Sequence, residues 1–419
     1  MPEPKPSGEL VSLRRRALAT YFVAAALTSV AYIATFQNAS IAAPHITGTA
    51  ATGGLPSSAG VAGTAVAVLA LSSLMAARGR RIGIVAGISV AVLGSVLTFV
   101  AILGASFVLL IAGTLLIGFG NAAIALSRYA AADLYPAAAR AGAVGILVWG
   151  STLGAVAGPN LVGPANSLAA GLDLPRFAGG FAMSVLFLLA AVAVATFGPR
   201  APAELPADGA DAVTEGGAPR TPVREMVGQL LSASAGRIAV AALVSGQLVM
   251  VLIMTMTPFH LDHAGHGDTT VGLVISAHTF GMFALSPLSG RLTQRFGAVA
   301  VIMAGFAVLT AAGLLAAAAP AAGGIVLMLP LFLLGYGWNM GFVAGSSLLA
   351  SGASFVDRAR LQGVIDAVTW GAAAIASAAA GFVVELSSFP TLALASAGLA
   401  LILALGIAAD GRVARSAEA

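Results

Sequence analysis

Apolar residues run along this chain in long blocks, and charge and turn-forming residues collect between them. Twelve blocks are long enough to cross a bilayer as helices. They span 17–43, 59–77, 82–103, 107–130, 142–163, 178–198, 236–258, 269–289, 298–319, 324–350, 361–384 and 390–409. Only Leu103-Gly104-Ala105-Ser106 parts the third block from the fourth. The pattern predicts an all-α membrane protein with twelve transmembrane helices. An even number of crossings puts both termini on one side. The longest interruption, Gly198 to Gly236, is rich in Pro, Ala, Gly and acids and reads as a cytoplasmic linker without a packed core. Its last part, Val223 to Leu231, has the makings of a short surface helix. The expected organisation is a six-helix half over 1–198, a linker over 199–235 and a second six-helix half over 236–419.

The halves repeat. Leu116-Ile117-Gly118-Phe119-Gly120-Asn121 in the fourth span resembles Leu333-Leu334-Gly335-Tyr336-Gly337-Trp338-Asn339 in the tenth. Gly79 after the second span matches Gly297 after the eighth, and Trp149-Gly150 matches Trp370-Gly371. A nearly constant offset over three helix pairs predicts a duplicated, pseudo-symmetric six-helix unit.

Composition narrows the class further. The 419 residues are 59% hydrophobic and 9% charged, against roughly 25% charged in a soluble globule. There is no cysteine, which removes disulfides and thiol chemistry. The formal charge of +4 does not point to nucleic acid, because topology accounts for the basic residues. With the N-terminus in the cytoplasm, every one of the 20 Lys and Arg residues but Arg176 falls in a cytoplasmic segment. The first apolar block follows Arg14, Arg15 and Arg16, exceeds a signal-peptide core and lacks a clear cleavage site, so it reads as a retained helix. No GxxxxGK[ST], H-E-x-x-H or G-x-S-x-G occurs, which argues against an ATP-driven pump and against an enzyme of those classes.

The fifth span carries the most specific motif. Gly145, Gly154, Gly158, Pro159 and Gly163 follow the spacing G-x8-G-x3-GP-x3-G. Gly154 and Gly158 offer a small-xxx-small face for close helix approach, and Pro159 removes a backbone donor just beyond it. The pattern resembles the fifth-helix signature of antiporters in the major facilitator superfamily, written G-x8-G-x3-GP-x2-GG, with Val162 in place of a glycine. Gly290-Arg291-Leu292-Thr293-Gln294-Arg295-Phe296-Gly297 resembles the superfamily's cytoplasmic loop motif G-x-L-x-D-R-x-G-R, and Gly79, Arg80 and Arg81 survive in the first-half copy. Gly290 and Gly297 allow a tight turn, and Arg295 is placed to meet helix C-terminal carbonyls or an acid of the other half. The usual acid of this gate is Ala76 in one copy and Gln294 in the other. Asp133 with Arg140, and Asp357 with Arg360, are the candidate replacements, against a reading of all four as solvated loop charges.

The resemblance implies a substrate cavity walled by spans one, four, seven and ten. Here those spans offer Tyr21, Thr28 and Tyr32; Asn121; Gln247, Met250 and Met254; and Tyr336, Trp338, Asn339 and Met340. Trp370 in span eleven joins them through its link to Asp366. Such a wall is aromatic, thioether-lined and weakly polar, which suits an amphiphilic small molecule. Asp366, which shares a helix face with Thr369 and Trp370, is the first candidate for proton coupling; the alternative pairs it with Arg358 or Arg360 near the interface. His278 in mid-span is the second, against a role as a packed hydrogen-bonding group. His260, His263 and His266 recur every three residues beside two aspartates, but Gly265 and Gly267 favour a plain loop, and neither metal nor cofactor is expected.

The reading at this stage is a monomeric, multi-pass protein of the cell (inner or plasma) membrane, resembling the drug/proton antiporter group and its multidrug-resistance efflux pumps. Its partners are a small molecule, protons and lipid. The alternative is a sugar or metabolite transporter or facilitator of the same fold. Single cysteines placed in the 199–235 linker and in the 259–268 loop should react with an impermeant reagent from opposite sides; labelling of both in intact cells would refute this topology.

Overall fold

Lipid offers the backbone no hydrogen-bond partner, so an apolar chain in a bilayer satisfies its own amides by forming helices. A computed structural model of the chain describes residues 8–135, 137–199, 222–319, 324–351 and 355–418. The helices are α1 (Gly8–Thr47), α2 (Leu55–Arg78), α3 (Arg80–Leu103), α4 (Phe107–Asp133), α5 (Ala137–Ala170), α6 (Ala178–Phe197), α7 (Val223–Ser232), α8 (Ser234–His263), α9 (Asp268–Phe283), α10 (Ser286–Phe296), α11 (Ala298–Ala318), α12 (Met328–Ser351), α13 (Phe355–Leu386) and α14 (Phe389–Glu418). There is no strand among the described residues. Twelve segments are long and apolar enough to span a membrane, in agreement with the sequence pattern.

Local chemistry explains the boundaries. The weak break after Leu103 is a real turn: Ala105 takes φ 48°, and the Ser106 hydroxyl accepts the Leu109 N–H at 3.4 Å as α4 begins. The eighth span is two helices, α9 and α10, meeting at Ala284 and Leu285, with Pro287 in the first turn of α10, where its missing N–H costs nothing. Most of the linker, 200–221, lies outside the described residues. The expected surface helix is α7. Its Met226 and Leu230 pack with Leu243 of α8, Leu349 of α12, and Leu361 and Ile365 of α13. Arg237 donates to the Leu231 and Ser232 carbonyls at 3.1 and 2.9 Å, capping the end of α7.

Contacts divide the chain into two units. The first holds Met1–Thr35, Gly63–Leu161 and Ala165–Ala218; the second holds Phe36–Ala62, Val162–Pro164 and Pro219–Ala419. The far end of α1, the connection after it and the start of α2 therefore pack with the helices of the second unit.

Within the first unit α1 lies in a glycine groove of α5. A Cβ on Gly150 would sit 2.9 Å from the Phe22 carbonyl oxygen, one on Gly154 would overlap the Ala26 carbonyl, and one on Gly158 would sit 2.6 Å from the Val30 carbonyl oxygen. Both helices advance four residues per contact, so they run parallel with i±4 rows in register. Pro159 lies inside α5 without interrupting it. Gly145 has nothing within 4 Å, and Gly163, which belongs to the second unit, meets Thr269 of that same unit, so the groove is Gly150-Gly154-Gly158 rather than the whole motif.

The two units use the same devices in corresponding helices. Gly63 fits against the Leu115 carbonyl, and Gly281 against the Phe332 carbonyl, so both partners move by a similar offset (63 to 281, 115 to 332). Gly94 and Gly113 meet reciprocally between α3 and α4, and Gly305 and Gly337 between α11 and α12, a like contact of the corresponding helices made at non-equivalent positions. Gly79 and Gly297 share one backbone conformation, φ 95°, ψ 155° and φ 83°, ψ 154°, which a residue with a Cβ rarely adopts. The duplication read from sequence is thus also a duplication of backbone contacts.

Gly154→Leu and Gly158→Leu should abolish transport, because a branched side chain there must separate α1 from α5. Gly145→Leu should retain it. The comparison requires monodisperse protein of equal yield in each case, and full transport by Gly154→Leu would show that the groove is dispensable.

Candidate functional site

In the first unit the expected polar face of α1 divides. Tyr21 and Thr28 line a small pocket between α1, α3 and α4, together with Ile84, Ile88, Ile124 and Ser127. Thr28 donates to the Ala24 carbonyl at 2.7 Å within its own helix. Tyr32 instead bonds to Thr64 of α2. The Thr64 hydroxyl donates to the Gly118 carbonyl at 3.2 Å and accepts from Asn121 Nδ2 at 3.4 Å. Tyr32, Thr64 and Asn121 thus form one polar cluster joining α1, α2 and α4. Thr64 was not anticipated; a threonine four residues after Gly60 in an otherwise apolar run carried no signal of its own.

In the second unit two of the candidate residues meet directly. Trp338 Nε1 on α12 donates to Gln247 Oε1 on α8 at 2.7 Å. Trp338 stacks on Phe342 at 4.8 Å and meets the Phe283 ring edge-on at 6.2 Å. Phe342 is exposed, so the buried indole backs an accessible aromatic shelf. Met250 and Met340 are buried and Met254 half-buried. Tyr336 lies 6.4 Å from Phe332, ring to ring. Trp370 is exposed on α13.

Asn339 sits elsewhere than on an open wall. Its Nδ2 donates to the Met282 carbonyl at 2.6 Å and to Ser286 Oγ at 2.7 Å, while Ser289 donates to its Oδ1 at 2.6 Å. It fastens α12 to both pieces of the broken eighth span. Asn121 makes the corresponding link from α4 to α2, so the repeated asparagine is a helix–helix tie in each unit.

The ionisable candidates are set apart from these clusters. His278 is fully buried; its Nδ1 lies 3.0 Å from the Leu331 carbonyl of α12, which assigns the proton to Nδ1, and Nε2 is sealed without a hydrogen-bond partner. The ring joins α9 to α12 where Gly335 already touches the His278 backbone. Asp366 follows Ile365, which packs with Met226 and Leu230 of α7, and is itself exposed.

At the arginine-rich end, Arg80 Nε meets Asp133 Oδ2 at 3.0 Å with both side chains about half exposed. Arg81 donates to the Thr196 and Gly198 carbonyls at 2.7 and 2.8 Å, capping α6. Asp133 is thus paired with Arg80; the side chains of Arg140, Asp357, Arg358 and Arg360 lie outside the described residues. Arg295 is exposed, with its guanidinium carbon 5.2 Å from the centre of the Phe296 ring, and Gly290 has open space around it. The three spaced histidines have separate neighbours. His260 stacks on Phe389 at 4.2 Å, His263 on Phe259 at 5.6 Å, and His266 lies beside Gly324.

A duplicated bundle of six and six spans, with arginine loops between paired helices, narrows the family, and comparison decides it. The family model described as Major Facilitator Superfamily matches residues 17–268 and 238–410. The chain belongs to the Major Facilitator Superfamily. It is 36% identical over 357 residues to an uncharacterized MFS-type transporter, YddS, of Bacillus subtilis (strain 168), covering 84% of this chain and 80% of that one. It is 28% identical over 330 residues to the riboflavin transporter RfnT of Brucella anthropi, covering 79% of each. A crystal structure of a POT family transporter in complex with 5-aminolevulinic acid has the same fold, with a TM-score of 0.68 at 11% identity over 94% of this chain and 95% of that one. This major facilitator is accordingly a multi-pass membrane transporter of small molecules.

In this transporter Asn339 and Trp338 are neighbours in sequence with separable duties. Asn339→Ala strands Ser289 and the Met282 carbonyl and should cost about 1–3 kcal/mol of stability. Trp338→Phe loses one hydrogen bond but keeps the stack. Thermal unfolding of detergent-purified protein should fall clearly more for Asn339→Ala; equal shifts would mean that the asparagine network carries no special weight.

Proposed function

We propose that this transporter is a proton-coupled exporter of small, amphiphilic, planar aromatic compounds, working by alternating access as a monomer in the cell membrane with both termini and the linker in the cytoplasm. The observation that carries the substrate class is the shelf of Phe283, Trp338 and Phe342, tied through Gln247 of α8, the helix that also carries Met250 and Met254. Flat rings stack on such a surface, and it carries no charge to demand a phosphate or carboxylate. Export is supported by the fifth-helix glycine pattern, whose Gly154 and Gly158, together with Gly150 outside the pattern, seat α1.

A second reading keeps the shelf and changes the direction: uptake of an aromatic metabolite, favoured by the likeness to a riboflavin transporter. Binding of riboflavin and of a cationic aromatic dye to the purified protein separates the two, since tight binding of riboflavin with none of the dye would favour the metabolite. Sugars should bind to neither arrangement.

For coupling, Asp366 is the better group. It is accessible, whereas the His278 ring is sealed between helices and holds them together. Asp366→Asn should leave counterflow intact, since exchange moves no net proton, and abolish uphill transport driven by a pH difference alone. His278→Gln should change stability more than coupling. Accumulation by Asp366→Asn under a pure pH gradient would place coupling elsewhere and make an uncoupled facilitator the leading reading.

A further inference from the structure

In the second unit α8 and α12 lie side by side and antiparallel. Gly345 packs against Leu243 and Ala239, Gly341 faces Ala242, and further along Trp338 Nε1 donates to Gln247 Oε1 at 2.7 Å. Gln247 is 6% exposed and Trp338 8%, so this bond is made among apolar groups and away from water.

An indole N–H donates and cannot accept. The oxygen of the Gln247 amide must therefore face Trp338, and its NH2 group must face away. Turning the amide over would set donor against donor and lose the bond. Trp338 is itself held in place, stacked on Phe342 at 4.8 Å and met edge-on by Phe283 at 6.2 Å. The side chain of Gln247 thus offers two N–H donors, in one fixed orientation, next to the aromatic shelf. Among the described residues Gln247 makes no other hydrogen bond, and its Nε2 is not sealed in protein as the amide atoms of Gln37 are. Gly246, the residue before it, has open space where a side chain would stand. A donor so far withdrawn from water favours a ligand that brings it an acceptor.

We propose that Gln247, oriented by Trp338, determines the specificity of this transporter by selecting flat ring compounds that carry a hydrogen-bond acceptor, such as a ring carbonyl, on the ring edge. The inference rests on the aromatic shelf proposed above as the substrate surface, and it narrows the substrate class of that surface. Stacking alone does not discriminate here, because every flat ring offers a face. The amide does. A ligand in which a methylene replaces the carbonyl covers the N–H donors and leaves them unpaired, and a site built to bond a polar group rejects the analogue that lacks it. Trp338 is a positioning residue in this scheme. It holds the amide so that the donors, and not the oxygen, face the ligand. With Phe in its place the amide turns freely and its oxygen competes for the same position.

Fluorenone and fluorene are planar tricycles of nearly equal shape that differ by one carbonyl. Their dissociation constants are measured by equilibrium dialysis against the full-length protein in detergent, each corrected for partition into protein-free micelles. The ratio of the two constants, fluorene over fluorenone, should be about ten for the native protein, the worth of a buried donor satisfied rather than left unpaired. Gln247→Met removes the donor at nearly the same side-chain length. It should bring the ratio to about one by weakening fluorenone alone, with fluorene held within about twofold of its native affinity. Trp338→Phe keeps the stack and Gln247 but frees the amide, and should bring the ratio to about three. A ratio near one in the native protein, or a native ratio surviving in Gln247→Met or in Trp338→Phe, would overturn this role. Fluorene affinity reports whether the shelf outlasts each substitution; if Gln247→Met destroys it, the ratio in Trp338→Phe decides. Equal binding of both compounds by the native protein refutes the role of Gln247 alone, whereas binding of neither refutes the shelf as the substrate surface and this role with it.

Discussion

The seat of α1 in the glycine groove of α5 is the contact on which the first unit turns. Lipid tails are as apolar as leucine, so no hydrophobic drive presses these helices together; what remains is dispersion and weak Cα–H···O contacts between backbones brought very close. Both require the absence of a Cβ at Gly150, Gly154 and Gly158. Once α1 is fixed there, its other faces are fixed as well. Tyr21 and Thr28 turn into the pocket beside α3 and α4, and Tyr32 reaches Thr64. The same logic recurs at Gly63 and Gly281, where a carbonyl of the facing helix occupies the space that a side chain would need.

Close packing leaves few places for polar groups, and the buried amides show how the remainder are handled. Asn121, Gln247 and Asn339 each bond to a neighbouring helix. Those bonds fix which helix turns face each other, a matter that glycine contacts alone leave loose. Gln37 of α1 stands apart: both of its side-chain amide atoms are buried without a hydrogen-bond partner. Leaving such a group unsatisfied costs on the order of 1–3 kcal/mol, so α1 carries at that turn a cost which its neighbouring threonines, Thr28 and Thr35, avoid by bonding.

Much of this was legible in the chain. Span limits follow from apolar length, and the repeat from Gly118/Gly335 and Gly79/Gly297. The break inside the eighth span was not, because Ala284 and Leu285 are ordinary helix formers and Pro287 alone does not say whether it kinks or begins a helix. Gly150 stands outside the fifth-helix pattern yet makes the third contact of the groove, since spacing within one helix cannot show which residues another helix touches. Asn339 reads as a wall residue on composition, and only the positions of Met282, Ser286 and Ser289 reveal three bonds already made.

The symmetry of the two units is therefore a symmetry of glycine and asparagine, and charge departs from it. Arg80 and Arg81 are taken up inside the first unit by Asp133 and the end of α6, while the corresponding loop of the second unit leaves Arg295 exposed beside Phe296. At the opposite end the second unit carries the charges, in Asp262 and Glu385, and receives the tip of α1. A gene duplication supplies two equal bundles, and equal bundles give no preferred direction. Direction and coupling need groups that differ between the copies. Arg80, Arg81, Asp133, Arg295, Asp262 and Glu385 all lie at helix ends, where a charge need not be placed within lipid.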